Sequence, residues 1–369
     1  MSTKPVRILF TIPNFLTAGS GRALFHVVRS LDRSRFLASV AVLKDGGSLT
    51  QEFEREGIPV LPLPFCEELH PRFSLPFRLW RAAAALRKHS FDLCHSYHYS
   101  DNYSEPLICR LAGIPAWVYT KKNMSWGSRA WVLKSFLARG IAYQNHEMLT
   151  RFFAPRNMAG KCHFLPRGVN TSWFHPQEPA EQHQNTRPFQ WGLVGLIQPR
   201  KGLTEVLRSL AQLPECRLLI AGSILDADYY QNCLALVRQL NLTERVQFLG
   251  HVEDVRAFLW SLDGFVFPSR SEGCPVALLE AMACGLPVVA SRFPGAEEWV
   301  GEGSTGLLAP LGDELALAKA MQKVQTQPAW ARQMGANARA WAVEVQDISM
   351  EARRHEAMYL KILGREETF

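Results

Sequence analysis

Two glutamates eight positions apart, Glu272 and Glu280, stand in the segment PSRSEGCPVALLEAMACGLPVVAS, Pro268–Ser291. A strand ends at Phe267, a loop carries Glu272-Gly273, and a helix starts near Pro275, whose fixed φ suits a first helical turn. The helix start over Cys274, Pro275 and Val276, where the proline itself carries no N–H, exposes unpaired backbone N–H groups that offer a site for a diphosphate. Glu280, five residues into the helix, can reach a pair of ribose hydroxyls as a bidentate acceptor. Glu272, at the loop tip, can touch a sugar beyond the phosphates. The same pattern also fits a capped helix that happens to carry two acids.

Such groups need strands to position them. In the first half VRILFT (Val6–Thr11) reads as a buried strand, then come a helix over Arg22–Leu31, a strand over Leu37–Leu43 and a helix near Leu49–Glu56. The strand IPVLPL, a basic helix over Phe77–His89 and the strand FDLCHS (Phe91–Ser96) continue the alternation. The segment Phe174–Pro188 is polar, holds three prolines and has no hydrophobic period, so it reads as a linker. The rhythm restarts with QWGLVG, a helix from Leu203, RLLIAG (Arg217–Gly222), a helix through Gln231–Leu240, VQFLG and GFVFPS. This alternation predicts an α/β protein of two doubly wound domains, residues 1–175 and 176–350, with a cleft between them.

With these elements in place, the segment around the glutamates, with its AMACGLPVVAS, resembles the signature of the retaining GT-B glycosyltransferases of family four, the group 1 glycosyl transferases. WGLVGLIQPRKG (Trp191–Gly202) resembles the family's V-G-R-L-x-x-x-K-G, which puts Lys201 on the lysine that binds donor diphosphate. Leu196 replaces the arginine of that pattern, and Arg200 is the nearest substitute charge. The resemblance places Gly222 in the family's strand-Gly turn, His251 and Val252 at the nucleobase edge, LPRGVN (Leu165–Asn170) on P-N-G-V-D and Gly21 near the diphosphate. It also implies that the last helix, within 351–369, crosses back to the N-terminal domain. On the acceptor side VYTKKNMSW puts Lys122 where many members carry a histidine, leaving His98 and His95 as the nearest imidazoles. The implied activity is hexosyl transfer from a nucleotide-diphospho-sugar to a carbohydrate or glycolipid acceptor with retention. Glu272, Lys201 and His98 would be its catalytic residues, and Gly273 would lie in the donor loop. The implied reaction uses no metal and no cofactor besides the donor. An epimerase or phosphorylase on the same fold, or a non-catalytic sugar-nucleotide-binding protein, would also suit these residues.

Composition narrows the setting. With 47% hydrophobic residues spread along 369, disorder is excluded, and no apolar run reaches the ~18–20 residues of a membrane span. Pro13 and Asn14 interrupt the apolar N-terminal stretch and argue against a signal peptide. Eight cysteines without a C-x-x-C pair predict a reducing, cytoplasmic setting. Residues 1–180 carry 23 Lys+Arg against 12 Asp+Glu, so the excess behind the net charge of +7 lies wholly in the first half. Lys121–Gly140 has five cations, no acid, and Trp126, Trp131 and Phe136 among them; Ser74–His89 adds Arg78, Arg81, Arg87 and Lys88 beside Phe77 and Trp80. Both tracts read as basic helices with aromatic anchors, suited to an anionic membrane surface, which would place the protein peripherally on the inner face of the cell membrane. No nucleic-acid recognition motif accompanies the charge. Asp226-Ala-Asp228 reads as an ordinary acidic loop rather than a metal site, and Cys94, His95 and His98 lack a fourth ligand nearby.

Overall fold

The computed structural model describes residues 4–15, 18–44, 48–177 and 187–365. The chain divides into two compact units, 1–166 with 348–369, and 167–347. The first holds a parallel sheet of β1 (Val6–Thr11), β2 (Phe36–Val42), β3 (Val60–Pro62), β4 (Leu93–Ser96), β5 (Ala116–Lys121), β6 (Gly140–Tyr143) and β7 (Cys162–Phe164), ordered β3-β2-β1-β4-β5-β6-β7. The second holds β8 (Phe189–Val194), β9 (Cys216–Ala221), β10 (Val246–Gly250), β11 (Gly264–Phe267), β12 (Val288–Ser291) and β13 (Leu307–Ala309), ordered β10-β9-β8-β11-β12-β13. The two orders repeat one doubly wound topology, whose direction reverses between β1 and β4 and again between β8 and β11.

The central strands β1, β4, β11 and β12 are largely apolar and buried because helices cover both faces. Ile8 and Phe10 face one core with the helices Ala18–Ser30, Ser48–Arg55 and Ile348–Leu363. Leu9 faces the other, with Leu75–Arg87, Ser104–Leu111 and Arg129–Leu137. In the second unit Phe265 and Phe267 pack against Val276–Ala283, while Val266 between them packs against Leu203–Ala211.

The helix Ile348–Leu363 belongs to the first unit. Its Tyr359 is fully buried against Phe10 and Phe36, and its hydroxyl lies 2.7 Å from His95 Nδ1.

Three sequence expectations are corrected. The second unit begins at Arg167, not after 175, because residues 169–174 are tied to its last helix, Pro328–Val345, and to the two residues that follow it. Val169 N donates to the Gln346 carbonyl, Thr171 Oγ1 to Asp347, and Arg339 Nη1 to the carbonyl of Phe174. Of the expected linker, residues 178–186 lie outside the described residues. Gly21 sits inside the helix Ala18–Ser30, not in a loop; a Cβ there would meet Leu49 Cδ2 at 2.8 Å, so the glycine serves close packing. The tract Lys121–Gly140 is not a surface helix. Lys121, Trp131 and Lys134 are buried, and the helix runs only over Arg129–Leu137. Among the described residues no helix is long and apolar enough to cross a membrane.

Candidate functional site

The loops after β8 and β11 meet at the point where the second unit's strand order reverses. Arg270 N donates to the Arg200 carbonyl at 2.9 Å, and Arg200 Nη1 donates to the Ser271 carbonyl at 2.6 Å. Arg270 Nε also donates to Glu205 at 2.7 Å. Tight backbone makes this approach possible. At Gly202 (φ 67°) a Cβ would lie 2.0 Å from the Pro268 carbonyl oxygen, and at Gly222 (φ 154°) 1.9 Å from that of Gly195. Only glycine fits either place.

Within this frame Lys201 Nζ donates to Glu272 Oε1 at 2.8 Å, and Arg200 Nη1 lies 3.3 Å from Oε2. Glu272 is buried, whereas the Arg200 side chain is 47% exposed. Two cations on one carboxylate leave the cluster one positive charge in excess, at the carboxyl end of a parallel sheet. Leu196, 44% exposed, brings no charge, so Arg200 is the second cation of the group.

The helix Val276–Ala283 starts one residue later than expected, with Pro275 as its N-cap residue and Gly273 buried just before it. Val276 N donates to the Cys274 carbonyl at 3.0 Å, so it is not unpaired as expected, and the N–H groups of Ala277 and Leu278 are the ones without a partner within the helix. Glu280 lies on its second turn. Burial pushes its carboxyl up to about 7, against the pull of the Arg167 charge. Arg339 donates to the Ala283 carbonyl at 3.0 Å, holding the far end of this helix to the last one of the unit. Cys274 and Val276 are half-buried, His251 is exposed, and Val252 packs on the core. Asp226 caps the helix Ala227–Gln239 by accepting from Tyr229 N at 2.9 Å, which accounts for the first acid of the Asp-Ala-Asp triplet. Among the described residues no three His, Cys, Asp or Glu side chains converge as metal ligands would.

The first unit has a cavity of about 490 Å³ at its own reversal point, between the ends of β1, β4 and β5, lined by His98, Lys122 and Asn123 among others. Lys122 Nζ donates to the Tyr97 carbonyl at 2.7 Å and lies 4.6 Å from the Tyr97 ring centroid. Burial, with the charges of Lys134 and Lys122, pushes His98 down to about 4, so its ring is neutral and weakly basic at pH 7. His95 is occupied at both nitrogens, by Tyr359 and by Thr120 Oγ1 at 2.8 Å, which makes it a structural residue.

Lys201, Arg200 and Glu272 are therefore brought together, with the helix of Glu280 following directly. Gly21 and His98 lie in the other unit. Arg167 was given no role from sequence, although it lies in a segment that matched a family motif; only the fold brings its charge to Glu280.

A doubly wound sheet repeated in two units, with its site in the strand-end loops, defines the GT-B class of fold. Residues 175–341 match the family model described as "Glycosyl transferases group 1". The chain is 30% identical over 225 residues to the GDP-mannose-dependent alpha-(1-6)-phosphatidylinositol monomannoside mannosyltransferase of Mycolicibacterium smegmatis, covering 55% of this chain and 57% of the relative. It is 29% identical over 210 residues to the lipopolysaccharide core biosynthesis mannosyltransferase LpcC of Rhizobium leguminosarum, covering 54% and 60%. The chain thus spans somewhat over half the length of these two relatives. In structure it resembles HepE of Anabaena, solved with UDP and glucose, at a TM-score of 0.80 and 21% identity over 96% of this chain and 99% of that one.

Proposed function

We propose that the protein is a glycosyltransferase that moves a hexose from a nucleotide-diphospho-sugar to a hydroxyl of a glycolipid or surface-polysaccharide intermediate, with retention. The observation that carries this reading is the Lys201–Glu272–Arg200 cluster, set beside the start of a helix at the reversal point of a domain that matches the group 1 family.

The chemistry asked of the site is departure of a nucleoside diphosphate. As the bond from the sugar's anomeric carbon to the phosphate oxygen breaks, negative charge grows on the diphosphate. Lys201, Arg200 and the N–H groups of the helix start neutralise it, and fixed donors of this kind usually supply the largest single share of catalysis. Glu272 holds both cations before the donor arrives and then holds the sugar. Glu280 accepts from the ribose hydroxyls in its ionised form. The acceptor oxygen bonds to the same face of the anomeric carbon, and its proton goes to the departing phosphate oxygen. A strongly basic side chain is then unnecessary, which agrees with a neutral, weakly basic His98. The donor reaction needs no metal in this scheme.

The glycolipid acceptor is supported by the names of the two mannosyltransferase relatives and by one surface of the first unit. Phe73, Phe77 and Trp80 are 89%, 64% and 60% exposed, at helical spacing, with Arg72, Arg81, Arg87 and Lys88 exposed around them. Aromatics ringed by cations suit an anionic lipid interface. This face takes over the membrane role expected of two tracts, and the protein acts peripherally at the membrane.

A thermal-shift screen against UDP, GDP, ADP and their sugars tests the proposal. A ligand at ~100 times its Kd adds about 2.7 kcal/mol of stability. Stabilisation by one nucleotide series, lost in Glu280→Ala, is the expected result; no stabilisation by any of them refutes it.

A further inference from the structure

The cavity in the first unit has a one-sided chemistry. Among its described lining residues are one cation, Lys122, the neutral imidazole of His98, and no acid. The Lys122 ammonium is fixed by the Tyr97 carbonyl and ring at the cavity wall. Asn123 is oriented by its neighbours, since its Oδ1 accepts from Lys121 Nζ at 2.9 Å and from Ser125 N and Oγ at 3.2 and 3.1 Å. The end of the amide left for a ligand is therefore the Nδ2 donor. His98 Nδ1 is buried without a hydrogen-bond partner among the described residues. Behind the wall, Lys134 is fully buried and donates to the carbonyl of Ser100 at 2.7 Å, adding a second positive charge next to His98. The nearby buried acid, Glu105, is turned to Thr11 and Ser96. A half-enclosed wall that offers donors and positive potential, and no carboxylate, complements a group that only accepts hydrogen bonds and carries charge.

We propose that this cavity is an anion subsite, in which Lys122 and Asn123 hold the carboxylate or phosphate of a charged sugar. The inference rests on the glycosyltransferase reading and deepens it, because it makes one of the two substrates a uronic acid or a sugar phosphate. Ser20, Asn14 and Tyr99, also on the lining, would meet the neutral hydroxyls of the same sugar.

The test is equilibrium binding, by calorimetry or ligand-observed NMR, to the full chain. Methyl uronides of glucose, galactose and mannose and the hexose 6-phosphates are compared with their uncharged counterparts to probe the acceptor. Nucleotide-diphospho-uronic acids are compared with the matching nucleotide-hexoses to probe the donor. The expected result is a preference of at least about tenfold for the charged member in one of the two arms. It should be lost in Lys122→Met and kept in Lys122→Arg, with both variants folded and both still binding free nucleoside diphosphate. Equal affinity for charged and neutral sugars, no charged sugar bound at millimolar concentration, or a preference that survives Lys122→Met overturns the subsite. Loss of nucleoside diphosphate binding in the wild type would instead refute the glycosyltransferase reading, so the two failures are distinct.

Discussion

Lys201 and Glu272, 71 residues apart in sequence, meet through a 2.8 Å hydrogen bond between Nζ and Oε1. Glu272 is buried and the Lys201 side chain is 15% exposed, so the pair is held away from bulk water with Arg200 on its open side. Removing Lys201 takes away the cluster's excess positive charge, with Arg200 still on the carboxylate, and removing Glu272 leaves both cations without it. Lys201→Ala is expected to lower kcat/KM by ~2–4 kcal/mol, as loss of one charge-stabilising donor does. A double-mutant cycle with Glu272→Ala should return a coupling energy on the order of 1–3 kcal/mol in donor affinity. Steady-state kinetics and calorimetry on the four proteins measure both, and additive effects would separate the two residues.

The donor role proposed for Glu280 predicts pH-dependent binding. Its carboxyl is held up at about 7, and the ionised form is the one that accepts from a ribose. Affinity for the nucleotide-sugar should rise as pH goes from 6 to 8 and level off above. Folding runs the opposite way: with the native pKa above the unfolded one, Glu280 contributes a loss of stability as pH rises from about 4.5 to 7. Binding of a nucleotide-sugar at several pH values, in wild type and Glu280→Gln, isolates the effect, because the sugar diphosphate does not itself titrate in this range. A slope that persists in the variant would assign it to another group.

The aromatic face of the first unit is a separate prediction. Phe77 and Trp80, stacked with their ring centroids 6.4 Å apart, are solvent-exposed. Phe77→Ser with Trp80→Ser should weaken cosedimentation with phosphatidylglycerol vesicles by about tenfold or more while leaving the melting temperature unchanged, since little packing is removed. Trp131, buried in the core of that unit, is the control: Trp131→Ala should lower stability by about 3–5 kcal/mol. Undiminished vesicle binding by the double variant would reject the face.

Gly222 shows how tightly the ends of β8 and β9 are packed. A Cβ there would stand 1.9 Å from the Gly195 carbonyl oxygen, and Gly222 N already donates to the Gly250 carbonyl at 2.7 Å. Gly222→Ala must push apart the ends of β8 and β9, so it should cost about 2–3 kcal/mol in urea melts and weaken nucleotide binding as well. A fully stable variant would show that the strand ends tolerate displacement.

The two loops that carry Lys201 and Glu272 were each legible from sequence because each is local. Glu272, Gly273 and Pro275 spell the end of one loop and the start of one helix, and Gly202 follows Lys201 directly. What sequence did not yield depends on distant partners. Lys121 and Lys134 read as cations of a basic surface helix, yet Lys134 is buried by the Ser100 carbonyl and the rings of Trp117, Tyr119 and Trp131, and Lys121 by Asn123, Tyr99 and Phe152. A cation's burial is set by the groups that receive it, and those lie on other elements. Gly21 was misplaced for a related reason: its neighbour Leu49 is on another helix, and only that contact shows the glycine to be a packing residue. Arg200 was ambiguous because a side chain's direction in a loop is not written in its spacing.

The most direct test of the central claim is the contribution of the diphosphate to binding. Affinities for a nucleoside and its diphosphate are measured by calorimetry, for the base that stabilises the protein best, on wild type and Lys201→Ala. The account predicts a large gain from the diphosphate in the wild type that shrinks at least about thirtyfold in the variant, with the nucleoside bound equally by both. A gain of the same size in both proteins would contradict it, because the diphosphate would then be held somewhere other than beside Lys201.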